Sequence, residues 1–320
     1  MPDMETAPLK VNCRQCRSKL DISDLEPYST FACPVCGAII RVPERFGRYL
    51  LEKVCGVGGM AKIYRALDTK LARRVAVKII EREHAEGRDF FKTASLISRI
   101  NHPGVIPVLD CGIENGQPFM VMKYMEQGDL ERMLKNHTLP AMPQLFRYLH
   151  TIVSALAEAA KISIAHHDVK PSNILISAAN EAKLSDFDLA DVREFGDLQT
   201  PCLEWGSPGY MSPERLYSGG EDFRGDIFSL GVSIYELLSG TLPFRSKGEP
   251  EMLYAERKQM DFEPLNRKNP GVSMEFSNLV SSMLSFNPED RPEYSQIIHA
   301  LSAVPTARTG AAWFNRKSEK

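Results

Sequence analysis

Apolar residues follow two different spacings along this chain, and the change falls near Gly128. Before that point, short runs of branched and aromatic residues, bounded by glycine, proline or polar residues, predict β-strands. One helical pattern interrupts the strands, because Phe90, Ala94 and Ile97 recur at helical intervals and Asn101 continues the same face. The predicted strands cover residues 49–53, 63–67, 75–80, 105–111 and 118–122.

Beyond Gly128 the apolar residues recur every three or four positions, which predicts helices. A short amphipathic helix is expected over 293–301, and residues 303–320 lack periodicity and are expected to form a flexible tail. A strand-rich part followed by a larger helical part predicts an α+β fold in two lobes. The two long helical patterns consist of Leu145, Leu149, Ile152, Val153 and Leu156, and of Ile227, Leu230, Ile234, Leu237 and Leu238.

Four of the seven cysteines form two C-x2-C pairs ahead of the first long strand. Two cysteines three residues apart on a tight turn can bind one ion, and two such pairs are typical of a tetrahedral Cys₄ zinc site. A full shell of four thiolates leaves no position for a catalytic water, so the sequence predicts a structural Zn²⁺. Two disulfides are the alternative, although disulfides are rare in a reducing compartment. The four candidate ligands are Cys13, Cys16, Cys33 and Cys36.

The cysteines define a small module, a zinc ribbon over residues 11–45, with β segments expected around 31–32 and 38–42. A segment this short buries too little apolar surface to fold alone, whereas metal ligation contributes about 10–16 kcal/mol. Residues 1–10 are expected to be disordered, and residues 43–48 are expected to form a linker into the first long strand.

Composition narrows the possible functions. The 320 residues carry a formal net charge of −2, so no overall field attracts nucleic acid or an anionic membrane. No run of about 18 apolar residues is present, which predicts no membrane span. The polar, acidic N-terminus does not resemble a signal peptide. We therefore expect a cytoplasmic protein.

The segment 165–173 carries the most specific chemistry in the chain. Phosphoryl transfer needs a carboxylate that orients the attacking hydroxyl, a cation near the transferred phosphate and oxygen ligands for Mg²⁺. Asp168, Lys170 and Asn173 supply these groups at fixed offsets, and Asp186 follows in the triplet Asp186-Phe187-Asp188. These residue types at these spacings are typical of the catalytic and metal loops of protein kinases.

A glycine-rich loop and a strand lysine precede that segment. Residues without bulk at Gly56, Gly58 and Gly59 allow backbone N–H groups to approach phosphates, although such a loop alone is a weak signal. Lys78 lies within the apolar strand 75–80, where burial of its charge is costly unless an anion meets it. In the V-A-I-K arrangement of kinases that anion is the α/β-phosphate of ATP.

These motifs occur in one order, and residues 46–302 resemble the bacterial branch of the eukaryotic-like Ser/Thr protein kinases. The resemblance implies an N-lobe at about 46–125, a C-lobe at about 126–302, and MgATP (or MnATP) bound between them. It implies a Ser/Thr acceptor on a protein, favoured by Lys170 and Ser207. It also implies catalytic roles for Asp168, Lys170, Lys78 and Asn173, and metal binding by Asn173 and Asp186.

The resemblance further implies the nucleotide site. Met122 corresponds to the gatekeeper, and the backbone of Tyr124 and Met125 in the following hinge would meet adenine. Asp129 would contact the ribose. The adenine ring would lie between Ile63, Ala76 and Leu175.

Four positions depart from the family pattern. Thr93 stands where the family has a helix-C glutamate that pairs with the strand lysine, and Glu86 lies too far along that helix to replace it. His167 replaces the arginine that receives an activation-loop phosphate, which makes such control doubtful. Asp188 replaces the glycine after Asp186-Phe187, and Ala61 replaces the third glycine of the phosphate loop.

Two functions stay open at this point. The chain is expected to be an active Ser/Thr kinase, because the groups that touch phosphate, metal and acceptor are retained. The alternative is an ATP-binding pseudokinase that acts as a scaffold or allosteric partner, because Thr93 and Asp188 remove support for lysine placement and switching. The ribbon is expected to bind a protein partner or dimerise. Basic residues exceed acidic ones by only three between residues 10 and 48, so nucleic-acid binding is not expected.

Overall fold

A computed structural model describes residues 10–58, 61–80, 90–192, 206–218, 221–244 and 248–303. The chain divides into two compact units. The first unit, here the sheet unit, holds the described residues up to Phe90 together with Val108–Tyr124. The second, here the helical unit, holds Phe91–Pro107 and the described residues from Met125 onward.

Two small hairpins open the sheet unit. In the first hairpin Val11 faces Leu20, and in the second Phe31 faces Ile40 at the same relative positions, 20 residues further along the chain. Each turn between paired strands holds one C-x2-C pair, so the two hairpins repeat one design. The four strands are β1 (Lys10–Asn12), β2 (Lys19–Asp21), β3 (Thr30–Ala32) and β4 (Ile39–Arg41).

A six-stranded antiparallel sheet follows, in the order β5-β6-β7-β8-β10-β9. The expected linker at 43–48 is wrong, because β5 pairs along its whole length with β6 and starts before residue 46. Phe46 is buried and packs edge-on against Phe119, with ring centroids 5.4 Å apart. The strands are β5 (Glu44–Phe46), β6 (Tyr49–Val57), β7 (Ala61–Asp68), β8 (Arg73–Ile80), β9 (Val108–Glu114) and β10 (Gln117–Lys123).

The two faces of this sheet differ in chemistry because side chains alternate along each strand. On β8, Val75, Val77 and Ile79 face an apolar core that also holds Leu51 and Val121. The intervening residues of β8 therefore lie on the opposite face, and they include Ala76 and Lys78.

The helical unit begins with helix α1 and is built mainly around α5. Thirteen residues of α5 are buried, so this helix is apolar almost all round and forms the centre of the unit. Asp222 caps its first turn by accepting from the backbone N–H of Arg224, and Gly240 ends it in the left-handed region at φ 77°. The helices are α1 (Phe90–Arg99), α2 (Leu130–Lys135), α3 (Met142–Ala160), α4 (Pro213–Ser218), α5 (Phe223–Ser239), α6 (Pro250–Gln259), α7 (Leu265–Lys268), α8 (Met274–Met283) and α9 (Tyr294–Ser302).

Short strands in the helical unit carry the candidate catalytic loops. Strands β11 (Gly128–Asp129), β13 (Ile174–Ile176) and β14 (Ala182–Leu184) form one antiparallel sheet, and β12 (Ile164–Ala165) pairs with β15 (Asp191–Val192). The strand predicted at 105–111 is divided between the units. Residues 104–106 bond to Leu184 on β14, whereas β9 begins only at Val108.

The predicted helices at 90–101 and 293–301 agree with the structure to within two residues at their ends. Helix α1 ends at Arg99, two residues before the predicted Asn101, and α9 matches the pattern at 293–301 within one residue. The predicted disordered N-terminus and C-terminal tail lie outside the described residues, except that Lys10 starts β1 and Ala303 caps α9. Among the described helices, none combines the length and the apolar character needed to cross a bilayer.

Candidate active site

The backbone before the candidate base is held by a buried carboxylate. Asp226, on the first turn of α5, accepts the N–H groups of His166 at 2.7 Å and His167 at 2.8 Å. His167 has φ 64°, a left-handed conformation that is uncommon outside glycine and therefore needs this support. Burial raises the pKa of Asp226, and the two nearby histidines oppose that shift.

The predicted partners of the candidate base, Asp168, contact one of its two carboxylate oxygens. Asp168 Oδ2 accepts from Lys170 Nζ at 2.6 Å and from Asn173 Nδ2 at 3.1 Å. Lys170 Nζ also donates to Ser207 Oγ at 2.7 Å, which ties the loop to the segment that carries the predicted acceptor preference. The structure thus brings together three of the four predicted catalytic residues.

The predicted metal ligands lie at one end of the β13–β14 pair. The carbonyl of Asn173 accepts the backbone N–H of Ser185 at 2.9 Å, so Asn173 is adjacent to the residue before Asp186. The Asn173 amide nitrogen donates to Asp168, which turns the amide oxygen to the other side. An amide oxygen and a carboxylate at neighbouring positions are the hard donors that Mg²⁺ prefers, so these residues fit the ion.

A ring contact supports the loop that carries Asp186. The rings of His166 and Phe187 lie 4.4 Å apart, and both side chains are buried. His166 Nδ1 accepts from the N–H of Asp168 at 3.2 Å, so Nε2 carries the proton and donates to the carbonyl of Ser185 at 2.9 Å. His166 therefore links the base to the metal loop through its ring, as a packing residue.

In the sheet unit, strand register places the predicted nucleotide contacts on one face. Ile63 is directly opposite Lys78, and Ala76 is directly opposite Met122. Gly56 is opposite Ile63 near the turn of the β6–β7 hairpin. All five positions lie on the sheet face that does not form the apolar core.

Further candidate contacts lie in the loop and hinge regions. The N–H of Gly58 donates to the carbonyl of Ala61 at 2.9 Å and closes the described part of the glycine loop, while Gly59 lies outside the described residues. In the helical unit Asp129 pairs with Leu175, and its carboxylate caps α2 by accepting from the N–H of Arg132 at 2.7 Å. Tyr124 is the last residue of the sheet unit, and the buried Met125 begins the second segment of the helical unit.

The four ribbon cysteines converge on one point. Their sulfur atoms all lie within 4.8 Å of one another, with Cys13–Cys36 at 3.6 Å and Cys16–Cys33 at 3.7 Å. A tetrahedron with Zn–S bonds of 2.3 Å has sulfur atoms about 3.8 Å apart, whereas a disulfide brings them to about 2.05 Å. The spacing therefore fits a zinc ion and does not fit the disulfide alternative.

The model of the family described as protein kinase domain matches residues 49–301. The chain belongs to the protein kinase family. The match covers the six-stranded sheet from β6 onward and the helical unit through α9. The protein kinase fold thus has its β-rich N-lobe in the sheet unit and its helical C-lobe in the helical unit.

Named kinases of bacteria resemble this chain over most of its length. The serine/threonine-protein kinase PknL of Mycobacterium tuberculosis is 32% identical over 248 residues, covering 76% of this chain and 62% of PknL. PrkC of Bacillus subtilis is 31% identical over 259 residues, covering 79% and 40% respectively. Pkn3 of Myxococcus xanthus is 32% identical over 277 residues, covering 82% and 50%. The match to this kinase chain thus spans between two fifths and about three fifths of these relatives.

Three of the four departures from the kinase pattern have side chains that the structure describes. Thr93 is half-buried on α1, and Ala61 is buried at the start of β7. His167 turns its ring inward, where Nδ1 lies 3.0 Å from Glu221 Oε1. Asp188 lies in the short 3-10 turn after Asp186, and its side chain is outside the described part of the kinase domain, as is Glu86.

Two buried arginines of the kinase C-lobe contact the residues between Ser207 and the end of α4. Arg291 makes a two-pronged ion pair with Glu214 on α4. Arg257, on α6, is fully buried and donates to the carbonyls of Pro208 at 2.6 Å and Met211 at 2.9 Å. Arg257 belongs to a stretch with weak apolar periodicity, so nothing in the sequence marks it as buried.

Proposed function

We propose that this chain transfers the γ-phosphoryl group of ATP to serine or threonine hydroxyls of proteins. The observation that carries the proposal is the convergence of Lys170 and Asn173 on the same oxygen of Asp168. A carboxylate, a cation and a metal-binding amide around one point are the groups that phosphoryl transfer requires. No comparable arrangement is needed for a scaffold that only binds nucleotide.

The chemistry follows from these contacts. One oxygen of Asp168 is engaged by Lys170 and Asn173, so we assign the other oxygen to the acceptor hydroxyl, which it orients and from which it accepts the proton. Lys170 neutralises charge that develops on the transferred group, and Ser207 fixes the position of its ammonium at 2.7 Å. Because these groups are positioned before substrate binds, little reorganisation is required during the reaction.

Asn173 and Asp186 are the residues we assign to Mg²⁺, with Mn²⁺ as a substitute of the same ligand preference. The ion, when bound, neutralises phosphate oxygens and aligns the transferred group. Residues of the sheet face opposite the apolar core are assigned to ATP, with Lys78 on the α/β-phosphates. The proposed nucleotide contacts are Gly56, Gly58, Gly59, Ile63, Ala76, Lys78, Met122, Tyr124, Met125, Asp129 and Leu175.

The test is transfer of label from γ-labelled ATP to a general protein acceptor, followed by identification of the phosphorylated amino acid. We expect the wild type to label serine or threonine and Asp168→Asn to lose at least about 10³-fold in rate, since it removes the orienting carboxylate. Asp261→Asn, an exposed change of the same chemistry, is the control. Equal labelling by the wild type and Asp168→Asn contradicts the proposal and favours the pseudokinase.

For the ribbon we propose a structural Zn²⁺ held by Cys13, Cys16, Cys33 and Cys36. The observation in support is the sulfur spacing, with all four sulfur atoms within 4.8 Å of one another. Arg14, between the first two cysteines, forms a 3.0 Å ion pair with Glu52 on β6. A ribbon that binds a protein partner or dimerises stays a prediction, which light scattering on the full chain will check.

A further inference from the structure

Glu221, which was not among the predicted site residues, contacts both the catalytic loop and the segment that leads into α4. Glu221 precedes α5, and its side chain is only 3% exposed. Its Oε1 lies 3.0 Å from His167 Nδ1 in the catalytic loop and 3.0 Å from Arg215 Nη1 on α4. Its Oε2 accepts from the hydroxyl of Ser212, directly before α4. One side chain thus contacts both the loop of Asp168 and the end of the segment 207–217, here called the acceptor segment.

These contacts require an ionised carboxylate. Burial alone favours the neutral acid, but the hydrogen bonds from His167 and Ser212 and the charge of Arg215 outweigh it and lower the pKa of Glu221 to about 2. Because a carboxylate only accepts hydrogen bonds, His167 carries its proton on Nδ1. His167 Nε2 is buried and has no hydrogen-bond partner among the described residues, so Glu221 is the contact that holds the ring.

The same network fixes the backbone next to the candidate base. Arg215 Nη1 donates to the carbonyl of His167 as well as to Glu221. The N–H of His167 is already held by Asp226 at 2.8 Å. Both peptide groups of His167 are therefore anchored in its left-handed conformation, and Asp168 is the next residue in the chain.

A glycine in a helix makes room for this carboxylate. Gly225 lies in the first turn of α5, where glycine lowers helix stability relative to alanine. A Cβ at this position would lie 1.9 Å from Glu221 Oε2 and 2.9 Å from its Cγ. The carboxylate is bound on three sides, so it cannot move aside without losing its partners. Gly225 therefore lowers the stability of α5 but leaves the space that the Glu221 carboxylate occupies.

We propose that Glu221 is a positioning residue for phosphoryl transfer, an internal carboxylate that holds the catalytic loop at His167 to the acceptor segment at Ser212 and Arg215. The proposal rests on the proposed kinase function. In kinases controlled by activation-loop phosphorylation, a phosphate added to the loop makes comparable pairs with arginine. Here the negative charge is part of the chain, and the buried Arg215 and His167 are already paired with it.

The kinetic test compares wild type, Glu221→Gln and the exposed control Glu251→Gln. Loss of the charge is expected to lower kcat/KM for the protein acceptor by about 10- to 100-fold, as small displacements of reacting groups do. The dissociation constant for MgATP is expected to stay within about twofold, because Glu221 contacts none of the residues assigned to the nucleotide. Equal kcat/KM in Glu221→Gln and wild type, or a parallel loss of MgATP affinity, overturns the proposal.

Gly225→Ala supplies a second variant, which changes no charge. It is expected to displace Glu221 and to reproduce the kinetic defect and a lowered melting temperature. In a Glu221→Ala background the same change is expected to raise the melting temperature, because only the helix preference for alanine remains. If Gly225→Ala changes the melting temperature in the same direction in both backgrounds, Glu221 does not occupy the space beside Gly225.

Hydrogen–deuterium exchange separates this proposal from the kinase activity itself. Glu221→Gln is expected to increase exchange in both 165–173 and 207–217, whether or not the wild type transfers phosphate. Unchanged exchange in either segment overturns the positioning role. Absence of transfer by the wild type, with increased exchange in both segments, counts against the proposed function alone and leaves the link between the segments established.

Discussion

Arg291 and Glu214 are joined by two parallel hydrogen bonds, from Nη1 to Oε1 at 2.6 Å and from Nη2 to Oε2 at 2.7 Å. The arginine side chain is 0% exposed, and its guanidinium also donates to the carbonyls of Arg224 and Ser285. A buried fork of this kind leaves few polar atoms unsatisfied, which is the condition under which a buried ion pair is tolerated. The pair fixes α4 to the segment before α9.

Arg291→Met is therefore expected to lower the free energy of unfolding by about 3–5 kcal/mol, because it leaves the Glu214 carboxylate without its partner. Urea denaturation followed by circular dichroism measures this. Lys161→Gln, which breaks an exposed pair with Glu158, is the control and is expected to cost at most about 1 kcal/mol. Equal losses of unfolding free energy in the two variants would contradict the structural role of the Arg291–Glu214 pair.

The strands, helices and site residues of this chain were predicted from different kinds of sequence pattern. Strands β6, β7 and β8 followed from short branched runs, and α3 from helical spacing, because one face of each packs on a core. The spacing of apolar residues also predicted α5, although this helix is buried almost all round. The proposed catalytic residues of the helical unit were predicted from residue types at fixed offsets. The register that places Ile63 opposite Lys78 depends on how β7 pairs with β8, and the sequence pattern did not predict that pairing.

Other features had no usable sequence signal. The segment at 43–48 has the proline, glycine and charges of a linker, yet Phe46 provides enough apolar surface to pair β5 with β6. Glu221 and Arg257 look like ordinary surface charges, since burial of a charge depends on partners distant in sequence. Those partners, among them His167 and Met211, become neighbours only in the folded chain.

Arg257 provides a prediction about the acceptor segment. Burial lowers the pKa of its guanidinium to about 10, and the charged group is stabilised by the carbonyls of Pro208, Met211 and Leu253. Arg257→Leu removes the side-chain donor from the carbonyls of Pro208 and Met211, at roughly 1–3 kcal/mol each.

We expect that Arg257→Leu raises KM for the protein acceptor by about tenfold and leaves KM for ATP unchanged, because the disturbed carbonyls flank the acceptor segment. Steady-state kinetics with each substrate varied in turn measures the two constants. The exposed neighbour Lys258→Leu is the matched control. A rise in KM for ATP of the same size in Arg257→Leu would contradict this assignment.

Glu221 predicts a pH dependence of stability. Its pKa in the folded chain is about 2, below the ordinary value of 4.5, so it is a depressed carboxyl. Its contribution is fully present above pH 4.5 and is lost as the pH falls toward 2, since the unfolded chain binds the proton first. Relative to Glu221→Gln, the wild type is expected to lose about 1 kcal/mol of stability between pH 7 and pH 4.

Urea titrations of both proteins at several pH values measure this difference. Taking the difference between wild type and Glu221→Gln removes the contribution of carboxyls that the two proteins share. A stability difference that stays constant from pH 7 to pH 4 would show that Glu221 is not held ionised by its partners.

The ribbon predicts a metal content that does not depend on activity. The purified chain is expected to carry one zinc ion per molecule, measured by inductively coupled plasma mass spectrometry, and Cys33→Ser is expected to lose it. Cys55→Ser alters an exposed free cysteine on β6 and is expected to retain the zinc. Zinc content unaffected by Cys33→Ser would contradict the Cys₄ site.

The most direct test of the account separates nucleotide binding from transfer at Asp168. MgATP affinity by calorimetry and the initial rate of label transfer to a protein acceptor are measured for wild type, Asp168→Asn and Asp261→Asn. We predict similar MgATP affinity in all three proteins, transfer by wild type and Asp261→Asn, and a loss of at least about 10³-fold in Asp168→Asn. Binding of MgATP by the wild type with no transfer above the level of Asp168→Asn would contradict the account.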